Sequence, residues 1–202
     1  MKRTVTAILL LLSLAISKTE ASPDYDPFGV HNDVSIATVL NGGWRILYKG
    51  KFSGVLPSVA DVLGQACGKI MLASKHLGSD RFDVLAAIDA EVYQSLNTAR
   101  NETLPANGAQ WYKNAYSMGF AGADDTINQT SADTRSLSER DRLSWHTVFL
   151  EREARLQMNG GWRSGDHHEL NRSDEWERFI LTSTPSPDGS SATANPNCLP
   201  VG

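Results

Sequence analysis

The sequence predicts a β-rich, sandwich-like domain, all-β or α+β, with one short helix near residues 57–66. Three observations carry that expectation. Apolar runs are short, and several alternate with polar residues as a strand with one buried face requires. Clusters of Gly, Pro, Asn and Asp interrupt them throughout. A single segment, 57–66, combines a helix-start residue with an apolar stripe at helical spacing.

The chain opens MKRTVTAILLLLSLAISKTEA. Lys2 and Arg3 precede an apolar run, 7–16, shorter than the about 20 residues that span a bilayer. Ala21 and Thr19 put small residues where a signal peptidase cuts, so residues 1–21 are expected to be a cleaved secretory signal. No later segment is apolar enough to cross a membrane. The expected compartment is therefore extracellular.

Residues 22–40, with Pro23, Pro27 and Gly29, read as a polar N-terminal segment, and 41–183 as one globular domain. Trp44, Ile46 and Tyr48 alternate with Arg45, Leu47 and Lys49, which predicts a strand after a Gly-Gly turn. In 57–66, Pro57 suits a helix start, and Val59, Val62, Leu63 and Ala66 share a face. Residues 69–77 and 81–90 suit two strands joined through Gly78-Ser79-Asp80, although the alanines of the second also suit a helix. Residues 97–109 read as loop, 109–114 and 117–121 as short strands, and 122–141 as loop.

Both periods fit 142–158: Trp145, Phe149 and Leu156 share a helical face, while Leu143, Trp145 and Thr147 alternate. A strand over 142–150 followed by a charged loop or helical turn is the preferred reading. Residues 176–183 suit a terminal strand. The tail 184–202, TPSPDGSSATANPNCLPVG, is too poor in large apolar groups to offset the cost of ordering and is expected to be flexible.

The pentapeptide NGGWR occurs twice, at 41–45 and 159–163. RILYKG follows the first tryptophan and RSGDHHEL the second, so duplication of a domain is not indicated. The expectation is one turn device used at two edges, with Trp44 and Trp162 entering one shared core.

Gly43-Trp44, 69–74 (KIMLAS), Trp111-Tyr112, Gly119-Phe120-Ala121, 142–147 (RLSWHT), 160–165 (GGWRSG), Leu170-Asn171 and Trp176-Glu177-Arg178 follow one another in this order. This pattern resembles a secreted domain of unknown function found in predicted exported proteins of bacteria and microbial eukaryotes. The resemblance covers most of 41–183 and is most specific from Arg142 to Arg178. It implies export and no particular activity. It also implies that Ser74, Ser144 and Ser164 stand where members often carry cysteines.

The chain is acidic, with a net charge of −4 and no basic cluster, which argues against nucleic acid and anionic membranes as partners. Cys67 and Cys198 are the two cysteines, and an exported chain permits a bridge between them. Of the tryptophans, Trp44 and Trp145 have the strongest claim to the core. Trp111, Tyr112, Trp162 and Arg163, with Asp166 and Asn171, are the candidates for a sugar-binding surface, where ring faces meet the apolar side of a sugar and amides meet its hydroxyls.

Asp166, His167, His168 and Glu169 are consecutive and read as a solvated loop, so no metal or cofactor is expected. Ser144, His146 and Asp133 are the one candidate catalytic set, without a G-x-S-x-G elbow around any serine. Asn101, Asn128 and Asn171 begin N-glycosylation triplets, relevant in a eukaryotic source. The leading functional expectation is an exported, non-catalytic binding or adhesion domain whose partners are glycans or surface proteins. The alternatives are a secreted hydrolase centred on His146 and a structural matrix or surface protein.

Overall fold

Strand and turn chemistry set the element order. In a computed structural model that describes residues 25–54, 56–129, 131–135, 139–147 and 160–183, the chain runs as follows. Strand β1 (Val30–Ser35) leads into helix α1 (Ile36–Asn41), β2 (Trp44–Lys51), helix α2 (Val59–Leu63), β3 (Lys69–His76) and β4 (Arg81–Asp89). Then come helix α3 (Ala90–Ser95), β5 (Leu104–Ala106), β6 (Ala109–Lys113), β7 (Ser117–Gly122), β8 (Leu143–His146), β9 (Gly160–Ser164) and β10 (Trp176–Ser183).

The strands form two five-stranded antiparallel sheets, a β-sandwich-like arrangement with short helices. The first sheet has the order β1-β4-β3-β10-β2, and the second is the meander β5-β6-β7-β8-β9. β10 pairs with both β3 and β2, so the last described strand is locked into the sheet begun by the first.

The inner faces share one core. Ile70, Leu72, Val84, Ala86, Ile88 and Ile180 of the first sheet meet Trp111, Met118, Phe120, Leu143 and Trp145 of the second. Helices α2 and α3 add Val62, Leu63, Ala90 and Tyr93 at one end. The outer face of the central strands of the first sheet is buried as well. Met71, Ala73, Phe82, Leu85, Ala87, Phe179 and Leu181 pack there with Val39 of α1 and Trp44, flanked by Tyr25, Val34 and Ile36. Burial on both faces explains why β3 and β4 read as near-continuous apolar runs.

Several elements differ from the sequence reading. Residues 30–41 are not a polar preamble: β1 pairs with β4, and α1 covers the outer face. The apolar signal there is thin, because His31, Asn32 and Asp33 separate Val30 from Val34, and Asp33 sits at φ 56°. The 81–90 ambiguity resolves as a strand, with Asp89 accepting the Glu91 and Val92 N–H groups to start α3. The predicted helix is real but shorter, capped by Ser58, which accepts from the Asp61 N–H. The loop over 97–109 contains β5. Of the strand expected over 142–150, Leu143–His146 is β8. Residues 148–159 lie outside the described residues, as do the signal segment 1–21 and the tail 184–202.

The two NGGWR copies are different devices. Gly43 takes φ 89° in the turn before β2, a backbone state that glycine adopts without a Cβ clash. Gly161 lies inside β9, where a Cβ would stand 1.7 Å from a Phe52 ring carbon. Their tryptophans do not share an interior either. Trp44 is on the outer layer of the first sheet, donating Nε1–H to the Tyr25 carbonyl at 2.7 Å. Trp162 is half-buried at the second sheet, edge-on to His146 with ring centroids 6.2 Å apart.

Candidate functional site

The outer face of the second sheet carries a buried polar network. Tyr112 on β6 and Ser144 on β8 both point outward, and the Tyr112 hydroxyl donates to Ser144 Oγ at 2.9 Å. Ser144 Oγ also accepts the Asp133 N–H at 2.8 Å. Burial raises the Tyr112 phenol far above its usual range. Arg142, fully buried, donates to Asp133 Oδ2 at 2.6 Å and to Glu139, and reaches Asp125 at 3.2 Å. Arg163, also fully buried, donates to the Gly165 carbonyl at 3.1 Å. Together these bonds pin the polar segment after β7 onto the sheet. Within this network Arg142 and Asp133 are paired and Arg163 is hydrogen-bonded, as desolvation demands.

This network answers the catalytic candidates. Ser144 and Asp133 do meet, but through the Asp133 backbone N–H, while its carboxylate is held by Arg142. His146 contacts neither. Its ring packs against Trp162 and bonds the Ser131 backbone, and Nδ1 has no partner. Burial, with the Arg178 charge nearby, pushes its pKa down to about 4. A nucleophile, base and orienter in mutual reach is not what these three residues form.

The expected sugar surface is not assembled. Trp111 and Tyr112 are fully buried, with Trp111 Nε1–H donated to the Ala106 carbonyl at 3.0 Å. Arg163 is buried in the polar network. Asp166 is exposed and 4.0 Å from Arg140, and Asn171 lies half-buried in a 3-10 turn, Leu170–Arg172. His167 stacks near Trp176 at 4.7 Å. Among the described residues no His, Cys, Asp and Glu group converges on a metal position. Cys67 is buried and disulfide-bonded. Cys198 lies outside the described residues. Of the glycosylation asparagines, Asn128 is exposed, while Asn101 is exposed but accepts the Gln129 N–H at 2.7 Å.

Ser74 and Ser164, on facing sheets, hydrogen-bond through their hydroxyls at 2.7 Å, and Ser164 also donates to Asp83. Arg178 is fully buried between the sheets, with the Tyr48 and Trp145 rings each 5.9 Å away and Nη2 donating to the Gly54 carbonyl. Ser74, Ser164 and Arg178 are each fully buried.

Among the described residues, two open recesses lie at the tip of the β6–β7 hairpin. Asn114 Oδ1 accepts the N–H groups of Tyr116 and Ser117, which tightens the turn and displays Tyr116 with 55% of its surface exposed. Tyr116 lines a groove of about 420 Å³ together with Asn97, Thr98, Arg100, Asn114, Gln129 and Ser131. Gln129 is buried, its Oε1 accepting from Ser117 at 2.7 Å, and its Nε2 donors are without a partner. A second groove of about 490 Å³ shares Asn97, Asn114 and Ala115 with the first and continues past Lys113, Thr147 and Leu63.

The turn between β6 and β7 was legible in the sequence, and a tyrosine there has no interior to enter. The amides that join it come from three separate loops, so no local motif announces them. Neither family models, nor curated proteins, nor solved structures give a match to the chain.

Proposed function

We propose that this protein is an exported, non-catalytic binding domain whose ligand is a carbohydrate held in the groove lined by Tyr116. The observation that carries the reading is one recess lined by both the exposed Tyr116 and side-chain amides, one of which, Gln129, keeps unmet donors despite burial. A ring face suits the apolar side of a pyranose. Amide and hydroxyl groups suit its oxygens, and a buried unpaired donor gains most from finding an acceptor. The recess also falls in the size range of small-molecule sites. Export is supported by the basic start and short apolar run of residues 1–21. Among the described residues no helix is long and apolar enough to cross a membrane.

The test is a glycan array followed by calorimetry on any positive. Tyr116→Ala is expected to weaken binding about tenfold or more, near 1.4 kcal/mol, with the melting temperature unchanged because the ring is exposed. Silence across the array, or affinity indifferent to Tyr116, would remove the carbohydrate reading.

A further inference from the structure

The two grooves share Asn97, Asn114 and Ala115, so they adjoin along one surface. Neither is lined by an aspartate or glutamate, although acids outnumber bases in the chain. Each contributes one cation. Arg100 lines the first, and its Nε donates to the Gln129 carbonyl at 2.8 Å. That bond anchors the guanidinium plane, and its two terminal nitrogens have no hydrogen-bond partner among the described residues. Lys113 lines the second, its Nζ donating to the Gln94 carbonyl at 2.7 Å and lying 5.5 Å from the Tyr93 ring centre. It too has no carboxylate partner among the described residues.

We infer that the paired grooves accept an acidic oligosaccharide, one bearing carboxylates on its sugar rings, with Arg100 and Lys113 each facing an anionic group. This rests on the carbohydrate reading and narrows it. An anchored guanidinium presents two parallel N–H donors that match a carboxylate. A half-buried lysine without a counter-ion has its ammonium disfavoured by burial, and an incoming anion relieves that cost. In a chain of net charge −4, a recess free of acids is where an anion meets least repulsion. The shared Asn97–Asn114 boundary places the two cations in successive subsites, which favours a chain of sugars over a single ring.

The test compares hexuronate oligosaccharides with neutral hexose oligosaccharides of the same linkage by calorimetry, at low and at moderately high sodium chloride. The uronate series is expected to bind at least tenfold tighter at low salt, with the gap narrowing as salt rises. Arg100→Gln and Lys113→Gln should each erase several-fold of that gap. Each substitution also removes a bond to a backbone carbonyl, that of Gln129 for Arg100 and that of Gln94 for Lys113, so a melting temperature is measured beside each affinity. Equal binding of acidic and neutral chains, lost together in Tyr116→Ala, overturns the anionic specificity and keeps the carbohydrate site. A uronate preference that survives both charge substitutions overturns the assignment of Arg100 and Lys113. No binding by either series at any salt overturns this inference, and a silent array overturns the broader reading as well.

Discussion

At the scale of single residues, His146 holds a buried imidazole near the Arg178 guanidinium, so protonation there meets both desolvation and a like charge. Its pKa falls from 6.5 to about 4. Between those values the unfolded chain binds a proton that the folded chain refuses. Stability from this residue is therefore full above pH 6.5 and declines as pH drops towards 4, by about 3 kcal/mol in all. Denaturant titrations across that window should show His146→Phe with a shallower pH slope than the parent. Parallel slopes would mean that His146 is not a source of the acid sensitivity. The sequence signal here was proximity: Ser144 and His146 stand two apart on a strand, which invites a catalytic reading. What the sequence could not carry is the burial of Asp133 under Arg142, which spends the carboxylate on another partner.

At the scale of elements, glycine spacing alone did not distinguish a turn from a strand. Gly161 is in β9 because the Phe52 ring lies against its backbone, and the Phe52 carbonyl also accepts the Gly161 N–H at 3.0 Å. Gly161→Ala should cost about 1–3 kcal/mol through overpacking. The cost should shrink in a Phe52→Leu background, where the smaller side chain leaves room. A double-mutant cycle by chemical denaturation measures this, and strictly additive effects would show that the ring is not the obstacle. Strands β2, β3, β6, β7 and β10 were readable from short apolar runs bounded by turn residues, whereas the alanines of β4 left strand and helix both open. Besides β1 and α1, β5, α3 and β9 hid for physical reasons. β9 has no alternation. The six residues of α3 are too few for a helical stripe. β5 lies before Asn107-Gly108, whose positive φ values of 44° and 72° make the tight turn to β6, yet Pro105 disguised the strand as loop.

At the scale of the whole molecule, the decisive feature is that the central strands of the first sheet, β3, β4 and β10, are buried on both faces. The sandwich interior was legible, since alternation in several strands and the short apolar runs demanded a second sheet. The outer layer was not, because 25–41 supplies few apolar residues, and its worth lies in what it covers. Trp44, Met71, Phe82, Leu85, Phe179 and Leu181 would lose much of that cover without Tyr25, Val34, Ile36 and Val39. β4 would also become an edge strand with open hydrogen-bonding groups once β1 is gone. A protein starting at residue 41 should therefore expose an apolar patch of the size that drives association. It is expected to aggregate or bind a hydrophobic dye, whereas one starting at residue 22 should be monomeric and unfold cooperatively. Val39→Asp in the longer protein should reproduce part of the defect, because it buries a charge where α1 meets the sheet. Size-exclusion chromatography with thermal melts distinguishes the outcomes: a monomeric protein starting at residue 41 with an unchanged melting temperature would mean that the layer over the first sheet contributes nothing to the fold.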